Sequence, residues 1–136
     1  MINSDFSLSL HVLLHLATNE EEGELLTSAR LAELMHVHPV QIRRVLAKMK
    51  CEGYIDSKEG SRGGFSISCD LDRVSLKDIY LLTQEDLLKP KCNECCSSCK
   101  IGHNIEKVLD SIITEVDGKF QENLEKYTLS KVLEML

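Results

Sequence analysis

Four of the chain's six cysteines fall in one short run, Cys92, Cys95, Cys96 and Cys99 within PKCNECCSSCKIGHN, with His103 just beyond. Thiolate sulfur and imidazole nitrogen are ligands for zinc and for iron–sulfur clusters, and closely spaced thiols are equally the parts of a disulfide switch. Adjacent Cys95 and Cys96 point their side chains apart, so a closed site draws on Cys92, one of Cys95 or Cys96, Cys99 and His103. Such a set suits zinc, or ligates an iron–sulfur cluster incompletely. As a switch, Cys99 stands just before a long helical stretch, where a helix N-terminus favours the thiolate, and neighbouring thiols can resolve a sulfenic acid. Iron–sulfur, zinc, thiol redox without a cofactor and an inert loop all stay open. Cys51 and Cys69 stand alone and are expected to pack as ordinary residues. His11 and His15 have metal-compatible i,i+4 spacing but lack a third ligand in sequence, so they read as polar-face histidines.

These residues need a scaffold, and the composition bounds it. The 136 residues, 43% of them hydrophobic, suffice for one compact domain or a small domain with an oligomerisation arm, without structural disulfides. Tryptophan is absent, so Leu, Ile and Val must fill the core. The opening MINSDFSLSLHVLLHLA has no Lys or Arg before its apolar run, and Ser9, His11 and His15 interrupt it. It reads as a buried amphipathic helix and not a signal peptide. Nothing approaches the roughly 18 apolar residues of a membrane span, so the expected setting is cytoplasmic, where thiols stay reduced. The net charge is −6, yet between Pro39 and Gly64 Arg43, Arg44, Lys48, Lys50, Lys58 and Arg62 outnumber Glu52, Asp56 and Glu59 by three. A basic middle on an acidic chain is compatible with DNA, because only the docking face must neutralise phosphate.

The periodicity predicts mainly helix with a small β-ribbon. Phe6, Leu10, Leu13, Leu14 and Ala17 mark a helix over roughly 4–18. Thr27 and Ser28 are good caps for a second, with Leu31, Leu34 and Met35 on one face. A short turn leads to Pro39, suited to the first turn of a third helix, about 39–52, burying Val40, Ile42, Val45, Leu46 and Met49 and ended by Gly53. Tyr54–Ile55 and Phe65–Ile67 flank KEGSRGG as a hairpin. Helix, short turn, helix and ribbon make a winged helix-turn-helix. Ser75 caps a short helix, and Thr128 caps the last one. Between them Ile105, Val108, Leu109, Ile112, Ile113, Val116, Phe120, Leu124 and Tyr127 form a stripe on a helix of about 26 residues starting at Ile101. Such a rod is about 40 Å long, too long to bury its stripe on so small a domain. A second copy is its natural partner, and a two-fold dimer suits a palindromic DNA site. The expected organisation is a winged helix-turn-helix DNA-binding domain over 1–83, a cysteine-rich sensor loop over 84–100, and a dimerisation helix with a C-terminal helix over 101–136.

PVQIRRVLAKMKCEGYIDSKEGSRGGFSIS followed by VSLKDIY resembles the Rrf-two family of winged-helix transcriptional regulators. The likeness runs from LSLHVLLHLA to TLSKVLEML, and its most specific pieces are Arg62–Phe65, Leu76–Tyr80 and Thr128–Ser130. It implies a homodimeric transcription factor with its second turn helix in the major groove and its wing in the minor groove of double-stranded DNA. The implied contact set here is His38, Val40, Gln41, Arg43, Arg44 and Lys48 on the helix, Ser28 on phosphate, and Arg62, Gly63 and Gly64 on the wing. Arg pairs bidentately with guanine and Gln with adenine, and an Arg between glycines suits a narrow minor groove. Where some members carry a glutamate in this helix, this chain has Arg43, so their operators do not transfer.

Iron–sulfur members hold their cluster through more widely spaced cysteines in the same loop, with a further ligand from a histidine or from an acid in the first helix, where this chain has Leu8. A cluster-free, thiol-sensing branch is closer after Cys99: CKIGHNI keeps Cys99, Gly102, Asn104 and Ile105 of its motif and replaces the proline with Lys100. The expected function is a DNA-binding regulator, a repressor, reporting redox, metal or reactive-species status through Cys92, Cys95, Cys96, Cys99 and His103. The alternatives are an iron–sulfur or zinc regulator of the same fold, or an interaction module that has lost DNA. An enzyme is not expected: thiol oxidoreductases carry C-x-x-C in a βαβ setting, and no nucleophile–base constellation stands elsewhere.

Overall fold

The structure, a computed structural model, describes residues 2–21, 23–84 and 100–136. The described elements are α1 (Ser4–Glu21), α2 (Ser28–Met35), α3 (Pro39–Cys51), β1 (Ile55–Lys58), β2 (Gly64–Ile67), α4 (Leu76–Thr83), α5 (Lys100–Glu125) and α6 (Leu129–Glu134). The expected order of helix, turn, helix and ribbon is present.

Side chains start the helices where the sequence predicts. Thr27 Oγ1 accepts from the Arg30 amide at 3.1 Å, and Thr128 Oγ1 from the Lys131 amide at 3.2 Å. Ser75 and Asp78 exchange side-chain and backbone bonds as a capping box. His36 ends α2 with φ 51°, a left-handed turn that lets its amide reach the Ala32 and Glu33 carbonyls. That reversal brings Pro39 into α3 three residues later. The ribbon is antiparallel, with Ile55 opposite Ile67 and Lys58 opposite Gly64, so β1 runs further than the predicted Tyr54–Ile55.

One core joins both ends of the chain. Val12, Leu13 and Leu16 of α1 meet Leu31, Ile42, Leu46, Met49, Ile55, Ile79 and Leu129, all essentially buried. Leu129 arrives there because residues after α5 are stitched to the segment before α4. The Leu76 amide donates to Tyr127 O at 2.8 Å, Leu129 to Val74 O at 2.9 Å and Ser130 to Leu71 O at 3.0 Å. Two expected core positions are instead on the surface. Val40 is 56% exposed and Leu34 37% exposed. Val40 sits on the side of α3 opposite Ile42, Val45, Leu46 and Met49, a consequence of helical geometry that apolarity alone conceals.

Helix α5 has the expected 26 residues and starts one position earlier, at Lys100. Its stripe, however, divides. Phe120 and Leu124 pack against the core, whereas Ile101, Ile105, Val108, Leu109, Ile112 and Val116 are exposed. The joint is Tyr80, only 1% exposed, whose ring stands edge-on to Phe6 at 6.5 Å and to Phe120 at 5.1 Å. Its hydroxyl donates to Asp117 Oδ1 at 2.6 Å; Gln121 Nε2 donates to Asp117 Oδ2 at 2.7 Å, and Gln84 Nε2 to the Tyr80 oxygen at 3.3 Å.

Burial, then the hydrogen bond to Asp117 and its charge, push the Tyr80 phenol up to about 12. An unfolded tyrosine ionises near pH 10, so the unfolded state loses this proton first. The Tyr80 contribution to stability is therefore fully present below about pH 10 and disappears as pH rises through about 12. Tyr80→Phe is expected to cost about 1.5–3 kcal/mol at neutral pH and to lack that alkaline loss. Urea unfolding of both proteins between neutral pH and about pH 12 checks it.

Candidate nucleic-acid interface

Helix α3 turns one face inward through Ile42, Val45, Leu46 and Met49, and that fixes what the other face presents. Val40, Gln41, Arg43, Arg44, Ala47, Lys48 and Cys51 are all exposed. Val40, Arg44, Ala47 and Cys51 fall along the outermost ridge by their 3.6-residue spacing, with Arg43 on one flank and Gln41 and Lys48 on the other. Cys51, expected to pack, is an exposed thiol on this ridge. Cys69 does pack, half-buried, and its burial pushes the thiol pKa up.

His38 stands at the entry to α3, where its Nδ1 accepts from the Val40 amide at 3.2 Å. It caps the helix, which leaves the proton of a neutral ring on Nε2, facing away from the cap. Arg44 is also engaged: its Nη2 meets Asp5 Oδ1 of α1 at 2.6 Å. The sequence offers no signal for this pair, since 39 positions separate the partners and an acid in a first helical turn reads simply as a complement to the helix dipole. Lys50, at the end of α3, donates to Ser57 Oγ of β1 at 2.5 Å and ties the helix to the ribbon. Sequence reasoning missed that role as well.

The ribbon is held against the start of α2. The Phe65 amide donates to Leu26 O at 2.8 Å, one residue before the Thr27 cap. A Cβ on Gly64 would lie 2.8 Å from that same Leu26 carbonyl oxygen, and one on Gly63 only 2.1 Å from Lys58 O. Glycine is thus a steric requirement at both positions. The contact brings Ser28, Lys58, Gly60, Gly63 and Gly64 around one crevice, with Arg62 exposed at the hairpin tip. Ser28, Gly63 and Gly64 are therefore neighbours in space, while Gln41, Arg43, Arg44 and Lys48 belong to the adjoining helix.

Cys92, Cys95, Cys96 and Cys99 lie outside the described residues, as does the side chain of His103. Among the described residues no group of three or more His, Cys, Asp or Glu is placed to hold a metal ion. His11 and His15 stack at 4.7 Å between ring centroids, and burial followed by the charge of His11 holds His15 below its ordinary value. Leu8 is half-buried and packs on the core. No described helix is long and apolar enough to cross a membrane.

Known proteins share this arrangement. YwnA of Bacillus subtilis, a protein of the helix-turn-helix transcriptional-regulator type, is 26% identical over 138 residues, spanning 100% of this chain and 99% of its own length. A crystal structure of a Lactobacillus plantarum protein, described as a transcriptional regulator, superposes with a TM-score of 0.81 at 25% identity, over 94% of this chain and 86% of the other. CymR, the global cysteine regulator of B. subtilis, shares the fold, with a TM-score of 0.68 at 16% identity over 100% of this chain and 98% of its own. These similarities are to regulators of transcription, not to enzymes. The profile of the Rrf2 family, described as iron-dependent transcriptional regulators, matches residues 2–135, and the chain belongs to that family.

Proposed function

We propose that the protein is a homodimeric, sequence-specific DNA-binding repressor, acting in the cytoplasm, whose cysteine run reports chemical status to the reading helix. The observation that carries this reading is the exposure of Gln41, Arg43 and Arg44 on α3, a helix whose C-terminal end is tied through Lys50 to a glycine-shaped wing. Arg43 and Arg44 are suited to guanine O6 and N7, and Gln41 to adenine N6 and N7, in the major groove. Lys48 and Ser28 are suited to phosphate, where they fix register without reading sequence. Arg62 at the wing tip suits the minor groove, where Gly63 and Gly64 allow close approach. His38 acts as the cap that sets the start of the helix, and Val40 as an apolar contact to a thymine methyl group.

The exposed stripe of α5 supports the dimer. Ile101 is 76% and Val116 62% exposed, and the residues between them recur at three- and four-residue steps. A second copy would cover that stripe, which nothing in the same protomer does among the described residues. We assign residues 1–83 to DNA reading, 84–100 to sensing and 101–136 to assembly, with Leu129 of the last unit packed into the core of the first. Ile112→Glu, on the stripe and away from the core, is expected to shift the protein from dimer to monomer at micromolar concentration without unfolding it. Sedimentation velocity alongside circular dichroism checks this.

For DNA, charge reversal at Arg43 and Arg44 together is expected to lower affinity for duplex selected by the wild type at least about 30-fold, since each base-pairing arginine is worth about 1–3 kcal/mol. Gel shift checks it, and unchanged affinity would leave an interaction module that has lost DNA.

For sensing, two chemistries are open to the cysteine run. The similarity of the sequence after Cys99 to thiol-sensing relatives supports oxidation of two thiols to a disulfide, with two electrons and two protons passing to an external oxidant. The family's iron-dependent description supports a metal held by Cys92, Cys95 or Cys96, Cys99 and His103, supplying a one-electron centre if it is an iron–sulfur cluster. Protein purified without air is expected to be colourless and zinc-free and to lose DNA affinity on oxidation. A brown chromophore selects iron–sulfur instead, bound zinc selects a zinc site, and equal affinity in both redox states rejects the thiol switch.

A further inference from the structure

The Asp5–Arg44 pair crosses from α1 to the centre of the exposed ridge of α3, and its geometry bears on how sequence is read. Resting on the DNA-reading assignment above, we propose that Asp5 is a specificity-determining positioning residue, which aims the Arg44 guanidinium at a base edge and keeps it off the phosphates.

The carboxylate is the fixed partner. The Asp5 side chain is 26% exposed against 61% for Arg44, so the acid is the sheltered end of the pair. Its backbone is pinned on both sides. Asn3 Oδ1 accepts from the Phe6 amide at 2.9 Å while Asn3 Nδ2 donates to Thr83 O of α4 at 2.8 Å, and Phe6 is buried against Tyr80. A carboxylate in the first turn of α1 is further favoured by the unpaired amides of that helix end.

The guanidinium is the aimed partner. It carries five N–H donors in one plane, and Nη2 uses one of them on Asp5 Oδ1 at 2.6 Å. The remaining donors still form a planar edge, the geometry that guanine O6 and N7 accept. A free arginine on this ridge would be a long, mobile cation able to meet any phosphate. Tied to Asp5, the pair carries no net charge and so contributes little to the sequence-independent, salt-dependent part of binding. Nor can Arg44 leave Asp5 on docking, because that would turn an unpaired carboxylate toward a polyanion. The pair therefore persists in the complex and trades non-specific attraction for direction.

The test uses the full-length protein and two probes: a duplex enriched from a randomised pool by the wild type, and a mixed-sequence duplex of equal length. Fluorescence anisotropy is read over a range of salt concentrations. Asp5→Ala is expected to bind the mixed-sequence duplex more tightly, with a log K against log salt slope steeper by about one. The same variant should lose about tenfold of its preference for guanine at one base pair of the enriched duplex. Arg44→Met should lose that same preference, and the double variant no more than Arg44→Met alone, as expected for two residues acting as one unit. Asp5→Glu should restore part of the preference, which a merely structural role would not require. Should Asp5→Ala misfold by circular dichroism, the isosteric Asp5→Asn carries the same expectations. Equal tightening on both probes would show Asp5 to be a simple repellent of DNA, and no change on either would show the pair to be idle; both overturn the proposal. If the wild type enriches no duplex, the DNA-reading assignment falls and this proposal with it. If it enriches one and Asp5→Ala keeps the guanine preference, only this proposal falls.

Discussion

Tyr80 is the point on which the arrangement of the molecule turns. A phenol this deeply buried needs a partner for its hydroxyl, and the partner it finds is Asp117, on a different element. That single bond, with the edge-on contacts to Phe6 and Phe120, joins α1, α4 and α5 at one place. It also helps fix the direction of so long a helix, whose last turns pack against the body among the described residues. Leu124, the bridge between Ser75 and Thr128 and the buried Leu129 close the same joint from the C-terminal side. The first two thirds of α5, before Asp117, carry their apolar stripe outward among the described residues, with the axis set in part by a hydrogen bond and three aromatic rings.

The same joint reaches α3 in a few steps. Phe6 packs on Tyr80, Asp5 precedes Phe6, and Asp5 holds Arg44. Asn3 adds a second tie from the start of α1 to the end of α4, at Thr83. The N-terminal turn of α1 is thus a short strut between the element that carries the exposed apolar stripe and the element that carries the exposed arginines. Such an arrangement fixes relative position through side chains with few alternatives, since a buried aromatic or a bonded carboxylate cannot drift without losing its contacts outright.

Much of this was legible in the sequence, and the failures are informative. Thr27, Ser75 and Thr128 announced their caps because a hydroxyl before a helix has one local job. The hairpin was legible from Gly60, Gly63 and Gly64, and the steric reason is visible at Gly63, where any side chain would strike Lys58 O. Val40 misled as a core position because apolarity was read without phase; its neighbours Ile42, Val45 and Leu46 define a face on which it does not lie. The division of the α5 stripe was not legible at all. Ile105 and Phe120 obey the same period, and contacts distant in sequence, the Tyr80–Asp117 bond and the Lys77–Glu125 pair among them, decide which part of the helix meets the body. Asp5 was invisible for a different reason: its role is defined by a residue 39 positions away, and no local pattern encodes such a pair.

Charge explains how an acidic chain can still address a polyanion. The −6 of the whole is compatible with a docking face that is locally positive, because screening in salt confines each surface charge to roughly 8–10 Å. Within that range of α3 the cations are not equivalent. Lys50 lends one donor to Ser57 and keeps its charge, whereas the Asp5 carboxylate offsets that of Arg44. On the proposed DNA-reading assignment, phosphate falls to Lys48, Lys50 and the cations of the wing, at the margins of the face, while Arg43 is kept for a base. Under that assignment such a face would draw its attraction from the rim and keep its ridge for contacts that depend on geometry. Sequence discrimination requires that division: a ridge rich in free cations would hold every duplex alike, whatever its bases.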